Sequence, residues 1–328
     1  KLEKKQPDKP QVAIARIRLL LQQKQLPAAG QAIQAFTQRF PDNQDMQMAL
    51  ALFALQQGDS QHAIPVLQNL QTQKYPPDDT AFYLAQAYAM QHDWQAAIST
   101  YLQVKGKRQL QSGAEAARLL YQQNQPQAAS DLFTQLRKNN PEQAATLYGV
   151  EVSLLVEQHQ TERVSALLKQ ALASYPKDTD LLYLNAMNED QGHDYPAMER
   201  DLNTILAIDP NNVNALNALG YTLSNHSERY QEAWYYIKRA HARDPNNPAI
   251  QDSLGWVLYR LKRFDEALPL LQEAWDALPD PEVAGHRIVT LCAMGDNSHA
   301  NKVLKQALEK FPGNAVLTAL DDTPSGKS

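Results

Sequence analysis

Residues 250–279 read IQDSLGWVLYRLKRFDEALPLLQEAWDALP, and this stretch decides the fold. In its first half, apolar residues recur at spacings of three and four, which puts them on one face of an α-helix. These residues are Ile250, Leu254, Val257, Leu258 and Leu261. The second half repeats the pattern with Phe264, Ala267, Leu268, Leu271, Ala274 and Trp275. Alternation of period two is absent, so the stretch predicts two helices joined by a short turn.

The proline that ends this stretch belongs to a series along the chain. Successive members are separated by 33 to 35 positions: Pro141, Pro176, Pro210, Pro245, Pro279 and Pro312. Pro41 and Pro76 extend the series upstream, and one member is missing near residues 105–107. A period in this range predicts stacked supersecondary units, each of which completes its apolar face against its neighbours.

Small residues recur in register with these prolines. An alanine stands twelve residues before several of these prolines, or at the corresponding position of a repeat that lacks the proline. Val164 and Met198 fill this slot in the two least regular repeats. The alanines are Ala29, Ala63, Ala97, Ala129, Ala233, Ala267 and Ala300. A second small residue often stands about twelve residues earlier, as at Ala51, Ala85, Ala117, Gly220 and Gly255. We expect the two slots to meet across each helix pair, where overfilling typically costs about 1 to 3 kcal/mol.

Composition excludes several functional classes. The chain has 328 residues, with 31 Lys and Arg against 36 Asp and Glu, which gives a net charge of −5. This charge and the absence of a long basic run make nucleic acid an unfavourable partner. No segment approaches the 18 or so consecutive apolar residues that a membrane span needs. A repeat stack also escapes the size limit of a compact core, so one elongated domain is expected.

Residues that would support catalysis are not found in the sequence. There is no glycine-rich phosphate loop and no nucleophile elbow, and the single Cys292 allows neither an internal disulfide nor a cysteine-clustered zinc site. Most of the eight histidines fall at or beside a turn, and turn residues exposed to solvent are the favoured interpretation. The eight are His62, His92, His159, His193, His226, His241, His286 and His299. We predict no catalytic residue, no metal ligand and no cofactor, and therefore no enzyme.

The repeat resembles a known family. Residues in the stretch quoted above match the tetratricopeptide repeat, namely Gly255, Tyr259, Phe264, Ala267, Ala274 and Pro279. The resemblance covers nearly the whole chain and implies an all-α, right-handed superhelical solenoid of about nine helix-turn-helix repeats. We assign the solenoid to residues 1–312 and a polar carboxyl-terminal tail to residues 313–328. The non-methionine start at Lys1 suggests a portion of a longer protein.

In such a superhelix the first helix of every repeat lines the inner surface, which is where we place the binding site for protein or peptide partners. Its candidate residues are Asn217, Tyr221, Asp252, Trp256, Tyr259 and Arg260. Trp, Tyr and Arg dominate interface hot spots, which favours an anchor for an extended or helical peptide. Trp256 and Tyr259 could instead pack between neighbouring repeats. Near the amino end, an apolar strip with Met48, Leu52 and Leu55 could bind a helix or an upstream repeat.

One known groove chemistry is not supported. Cochaperone repeats that grip a chain-terminal carboxylate use paired lysines with asparagine and arginine. Here the corresponding slots hold Tyr183, Asn217 and Asp252, with no matching pair of lysines.

The carboxyl-terminal third resembles tetratricopeptide lipoproteins of the Gram-negative outer membrane. The likeness is carried by residues 214–223, 229–233, 244–256 and 282–286. A member of that family is an adaptor that binds and activates a periplasmic carboxyl-terminal processing protease and delivers peptidoglycan hydrolases to it. The resemblance therefore implies a periplasmic scaffold, tethered to the outer membrane through an amino-terminal lipid anchor that lies outside this chain. Two alternatives remain: a scaffold for envelope polysaccharide synthesis or export, and a regulatory fragment of a larger enzyme.

Overall fold

The protein is helical throughout the part described by the structure. The structure is a computed structural model that describes residues 10–23, 25–73 and 75–321. These residues form nineteen α-helices and two short 3-10 helices, with no strand among them. The prediction of an all-α architecture built from helix-turn-helix repeats is confirmed. The helices fall into two compact units, residues 1–160 and 161–328.

Unit 1 contains four helix pairs and one further helix. Each helix packs on the next along the chain. The helices are α1 (Pro10–Gln22), α2 (Leu26–Arg39), α3 (Gln44–Gln56), α4 (Ser60–Thr72), α5 (Pro77–Met90), α6 (Trp94–Tyr101), α7 (Gln109–Gln122), α8 (Pro126–Asn139) and α9 (Ala144–Glu157). A 3-10 turn, Gly106–Arg108, stands where the proline series skips a member. Gly106 has a φ of +60° there, so a glycine closes this repeat instead of a proline.

Unit 2 contains four complete pairs flanked by single helices, again packed in chain order. The helices are α10 (Thr161–Ser174), α11 (Thr179–Gln191), α12 (Tyr195–Ile208), α13 (Val213–His226), α14 (Tyr230–His241), α15 (Pro248–Arg260), α16 (Phe264–Ala277), α17 (Pro281–Ala293), α18 (Asn297–Lys310) and α19 (Ala315–Asp321). Asparagine side chains fix two starts, because Asn212 accepts from the Ala215 N–H at 2.9 Å and Asn247 from the Ala249 N–H at 3.1 Å.

The small-residue slots lie where the helices of a pair approach most closely. All seven predicted alanines are buried, as are Val164 and Met198. A Cβ added to Gly255 would lie 3.2 Å from the carbonyl oxygen of Ala267, which occupies the partner slot. A Cβ on Gly220 would lie 2.8 Å from the carbonyl oxygen of Ala233. The prediction that the two slots meet across each helix pair is thus confirmed at both glycines.

The predicted boundary of the polar tail is wrong for its first residues. Residues 315–321 form α19, which packs on α17 and α18 and buries Leu317 completely. The polar composition after Leu320 concealed a short apolar stretch, Ala315–Leu320, that completes the face of the last helix pair. The remainder of the predicted tail, 322–328, lies outside the described residues.

Candidate binding site

A cavity in unit 2 is lined by the first helices of four consecutive repeats. It has a volume of about 410 Å³ and is bounded by residues of α11, α13, α15 and α17, with contributions from α12 and from the loop after α16. Three of the six candidate residues predicted on first helices line this cavity: Asn217, Tyr221 and Asp252.

Residues in one slot of successive repeats form a row across this site. Tyr183, Asn217, Asp252 and His286 follow one another at intervals of 34, 35 and 34 residues. Because the interval equals the repeat period, each residue occupies the same place on its own first helix. The first three line the cavity, and the fourth, His286, contacts the side chain of Asp252.

His286 corrects the interpretation of the histidines as turn residues. It lies within α17 and is only 8% exposed, and its Nδ1 contacts the Asp252 carboxylate at 2.9 and 3.2 Å. Asp252 is itself only 7% exposed. Buried carboxylates need such a partner, because an isolated buried charge is strongly unfavourable. For His92, His159 and His193 the turn prediction is confirmed, since all three adopt positive φ in a turn that follows a helix.

The side chain of Trp256 contacts residues of its own repeat and of both neighbouring repeats. Its indole ring stacks on His286 with centroids 4.0 Å apart, and on Tyr259 with centroids 4.9 Å apart. Its Nε1 donates a hydrogen bond of 2.6 Å to Asn225 Oδ1, near the end of α13. The ring therefore contacts the neighbouring repeats on both sides, and its contact with a partner stays a prediction.

Arg260 completes the layer that adjoins the cavity. Its guanidinium donates to the hydroxyl of Tyr230 and lies over two rings, 4.6 Å from the Tyr230 centroid and 5.7 Å from that of Trp256. Trp256, Tyr259 and Arg260 are not among the residues that line the cavity. Their contact with a partner stays a prediction.

The cavity wall is rich in hydrogen-bond acceptors. Tyr221 donates its hydroxyl hydrogen to the Glu282 carboxylate, and burial together with this carboxylate raises the pKa of Tyr221 well above its usual value. Asp190, Asp280 and Glu282 also stand on the wall, and none of the described lining residues is a lysine or an arginine.

Asn217 adds an acceptor with no donor. Its Oδ1 is buried and has no hydrogen-bond partner in the protein. Most buried polar atoms are paired, so this oxygen carries a desolvation cost that no hydrogen bond offsets.

Three further features bear on function: metal ligands, apolar helices and the single thiol. Residues 10–23, 25–73 and 75–321 contain no group of three His, Cys, Asp or Glu side chains placed to hold a metal ion. None of their helices is both long and apolar enough to cross a membrane. Cys292 is half-buried, and burial raises the pKa of its thiol, which lowers its nucleophilic fraction.

Comparison with known sequences explains the repeat. Three sequence models described as tetratricopeptide repeat match the chain, one at residues 14–79 and 115–178, one at 202–235 and one at 225–285. Together these segments span more than half of the chain. The chain belongs to the tetratricopeptide-repeat family. The repeats within the matched segments are therefore tetratricopeptide repeats, and such repeats form protein–protein interaction scaffolds.

Individual relatives agree with this assignment. A tetratricopeptide repeat-containing protein of Pseudomonas aeruginosa is 35% identical over 210 residues, which is 64% of this chain and 36% of that relative. The chain thus spans about a third of the length of this relative.

Solved structures with the same type of fold are more distant in sequence. The Cut9-Hcn1 hetero-tetramer of the APC/C is similar over 96% of this chain and 56% of that chain, at 13% identity and a TM-score of 0.53. A thermophilic tetratricopeptide protein of Thermus thermophilus is similar over 54% of this chain and 96% of that chain, at 20% identity and a TM-score of 0.47.

Proposed function

We propose that this chain is a non-catalytic adaptor that binds an extended or helical segment of a partner protein in the cavity of unit 2. The observation that carries the proposal is the cavity itself, which is lined by the first helices of four consecutive repeats. Concave sites with a few polar groups among apolar walls are typical ligand sites, and extended or helical segments bind in such grooves.

The partner we propose is a carboxyl-terminal processing protease of the periplasm, with peptidoglycan hydrolases as delivered substrates. The support is the resemblance of residues 214–223, 229–233, 244–256 and 282–286 to outer-membrane tetratricopeptide lipoproteins. These segments include Asn217, Tyr221, Asp252 and Glu282, which line the cavity. The proposed location is the periplasm, on an outer-membrane lipid anchor supplied from outside this chain.

The proposed mechanism is a gain in effective concentration. A protease and its substrate held on one scaffold meet as an intramolecular pair, and linkage of this kind raises apparent affinity by about 10² to 10⁴ when the geometry permits both contacts. The chain itself then needs no reactive group, only two separate binding surfaces and a rigid connection within each unit.

The test measures cleavage of a purified peptidoglycan hydrolase by the purified protease with and without this chain. We expect the chain to accelerate cleavage and the variant Ala249→Trp to lose most of that acceleration, about tenfold, because Ala249 is exposed on the cavity wall. Ala242→Trp is the matched control, since Ala242 is exposed but lies outside the wall.

The two parts of the proposal fail separately. If cleavage is equally fast without the chain, the protease role is wrong. If the chain accelerates cleavage and Ala249→Trp acts like Ala242→Trp, the partner binds elsewhere and the cavity is not its site.

A further inference from the structure

We infer that the hydrogen bond between Tyr221 and Glu282 is a strap across the cavity of unit 2, and that a partner segment reaches the wall formed by α15 only when this strap opens. The inference rests on the proposed function, because it names what regulates entry to the proposed binding site. It depends on three observations: the repeats that the strap joins, the residues that it covers and the freedom of one of its ends.

The strap joins two repeats that are not neighbours. Tyr221 lies on α13 and Glu282 on α17, 61 positions apart, and α15 packs against both helices. In a repeat stack each unit ordinarily contacts only the adjacent units. A bond between α13 and α17 therefore has to pass over α15. Both of its residues line the cavity, so it passes on the cavity side.

The residues of α15 beside the strap have little exposed surface. Asp252 lines the cavity but is only 7% exposed, and Ser253, the next residue of the wall, is 4% exposed. The Asp252 carboxylate contacts His286, and the rings of His286 and Tyr221 have centroids 6.4 Å apart, which places the strap beside this buried pair. Ala249 lies one turn earlier on α15 and is exposed. We attribute the difference in exposure along α15 to the closed strap.

The two ends of the strap differ in their freedom to move. Tyr221 is half-buried, whereas Glu282 is exposed in the first turn of α17. An exposed side chain changes rotamer within picoseconds to nanoseconds, and water can replace the phenol as the donor to its carboxylate. Release of Glu282 thus costs one hydrogen bond and no apolar packing, so the strap opens reversibly and the open form is the minor one.

The experiment measures access to the wall with a single reactive thiol. Cys292→Ala removes the only cysteine of the chain, and Ser253→Cys then introduces a thiol of similar size on the covered part of the wall. Alkylation by iodoacetamide is followed by mass spectrometry of the intact chain. Because opening is fast, the alkylation rate is proportional to the open fraction. A second reporter, Ala249→Cys, measures access to the exposed part of the wall.

The variants locate the effect at the strap. Tyr221→Phe keeps the ring and every charge, and we expect it to raise the alkylation rate of the Ser253→Cys reporter about fivefold and to leave that of Ala249→Cys unchanged. Tyr183→Phe is the matched control, since Tyr183 lines the same cavity on α11 but is not part of the strap. In a Glu282→Ala background the acceptor is gone, so Tyr221→Phe should no longer change the rate.

Two results of the thiol experiment would overturn the inference. One is an unchanged alkylation rate of the Ser253→Cys reporter in Tyr221→Phe. The other is an equal rise at Ser253→Cys and Ala249→Cys, because the substitution would then loosen the whole unit instead of opening a strap.

The cleavage assay separates the inference from the function on which it rests. There, Tyr221→Phe should reach half-maximal acceleration at a several-fold lower concentration than the wild type, because a larger fraction of it is open to the partner. An unshifted concentration would show that the partner does not pass the strap, which overturns the inference alone. If the thiol rates change as expected but the chain does not accelerate cleavage, the proposed function fails while the strap is supported.

Discussion

Replacing Gly220 by alanine should destabilise unit 2, although alanine is the better helix former. Gly220 lies in the middle of α13. A methyl group there would lie 2.8 Å from the carbonyl oxygen of Ala233 and would also meet the side chain of Ile237, which is completely buried. Neither obstacle is the end of an exposed flexible side chain, so α13 and α14 would have to move apart.

The magnitude follows from two opposing effects. Alanine in place of glycine inside a helix gains about 0.8 to 1 kcal/mol of helix stability. Overpacking a closely packed site costs about 1 to 3 kcal/mol, and a backbone obstacle puts Gly220 in the upper half of that range. The expected net loss for Gly220→Ala is about 1 to 2 kcal/mol. Gly285→Ala is the matched control in α17, because its methyl would meet nothing nearer than 3.8 Å and should stabilise by up to about 1 kcal/mol.

The assay is urea unfolding of the full chain followed by tryptophan fluorescence. Three of the four tryptophans, Trp234, Trp256 and Trp275, lie in unit 2, so a Trp94→Phe background makes the signal report this unit alone. We expect the free energies of unfolding of the two variants to differ by about 2 to 3 kcal/mol. If Gly220→Ala is as stable as Gly285→Ala, the close approach of the small-residue slots does not control stability.

Two further predictions concern ionisable side chains. Burial and the nearby carboxylate of Asp201 raise the pKa of Glu189 from 4.5 to about 7. The folded state thus holds this proton more tightly than the unfolded state, so the free energy of unfolding falls as pH rises from 4.5 to 7. In urea unfolding, Glu189→Gln should gain stability over the wild type between about pH 5 and about pH 8. A difference in stability that does not change with pH would contradict the raised pKa. In unit 1, Arg137 and the 1%-exposed Glu151 form an ion pair of 2.5 Å. Glu151→Leu should cost about 3 to 5 kcal/mol by leaving a buried charge, and combining it with Arg137→Met should recover most of this loss; equal instability of single and double variants would contradict the pairing.

The fold was predictable from the sequence because its determinants are local and repeated. The slots at Gly255 and Ala267 lie twelve residues apart, on two helices joined by a short turn, so their spacing alone indicated that they meet. Each repeat restated the same pattern, and the agreement among repeats compensated for the irregular ones. The short helix α19 was missed, because seven residues give too little periodicity to predict a helix before a polar end.

The candidate site was predictable in part. The slot that gave Asn217 and Asp252 also contains His286, one period further along, and extending the row by one repeat would have found it. The interpretation of the histidines as turn residues did not fit His286, which lies within α17. The contact between Tyr221 and Glu282 could not be predicted in this way, since it joins residues 61 positions apart in different slots. Contacts between side chains of repeats that are not adjacent depend on how the repeats stack, which periodicity does not give.

The helix α19 has a practical consequence for any shortened version of this protein. It covers α17 and α18 as the first helix of another repeat would, with Leu317 fully enclosed and Val316 near Gly285. A chain cut at Phe311 would uncover the apolar side of the last pair, and a bare terminal face of a repeat stack is suited to join the end of a second molecule. Truncations meant to stay monomeric should therefore retain residues through Asp321, and aggregation of shorter versions would reflect a lost cover rather than a misfolded binding site.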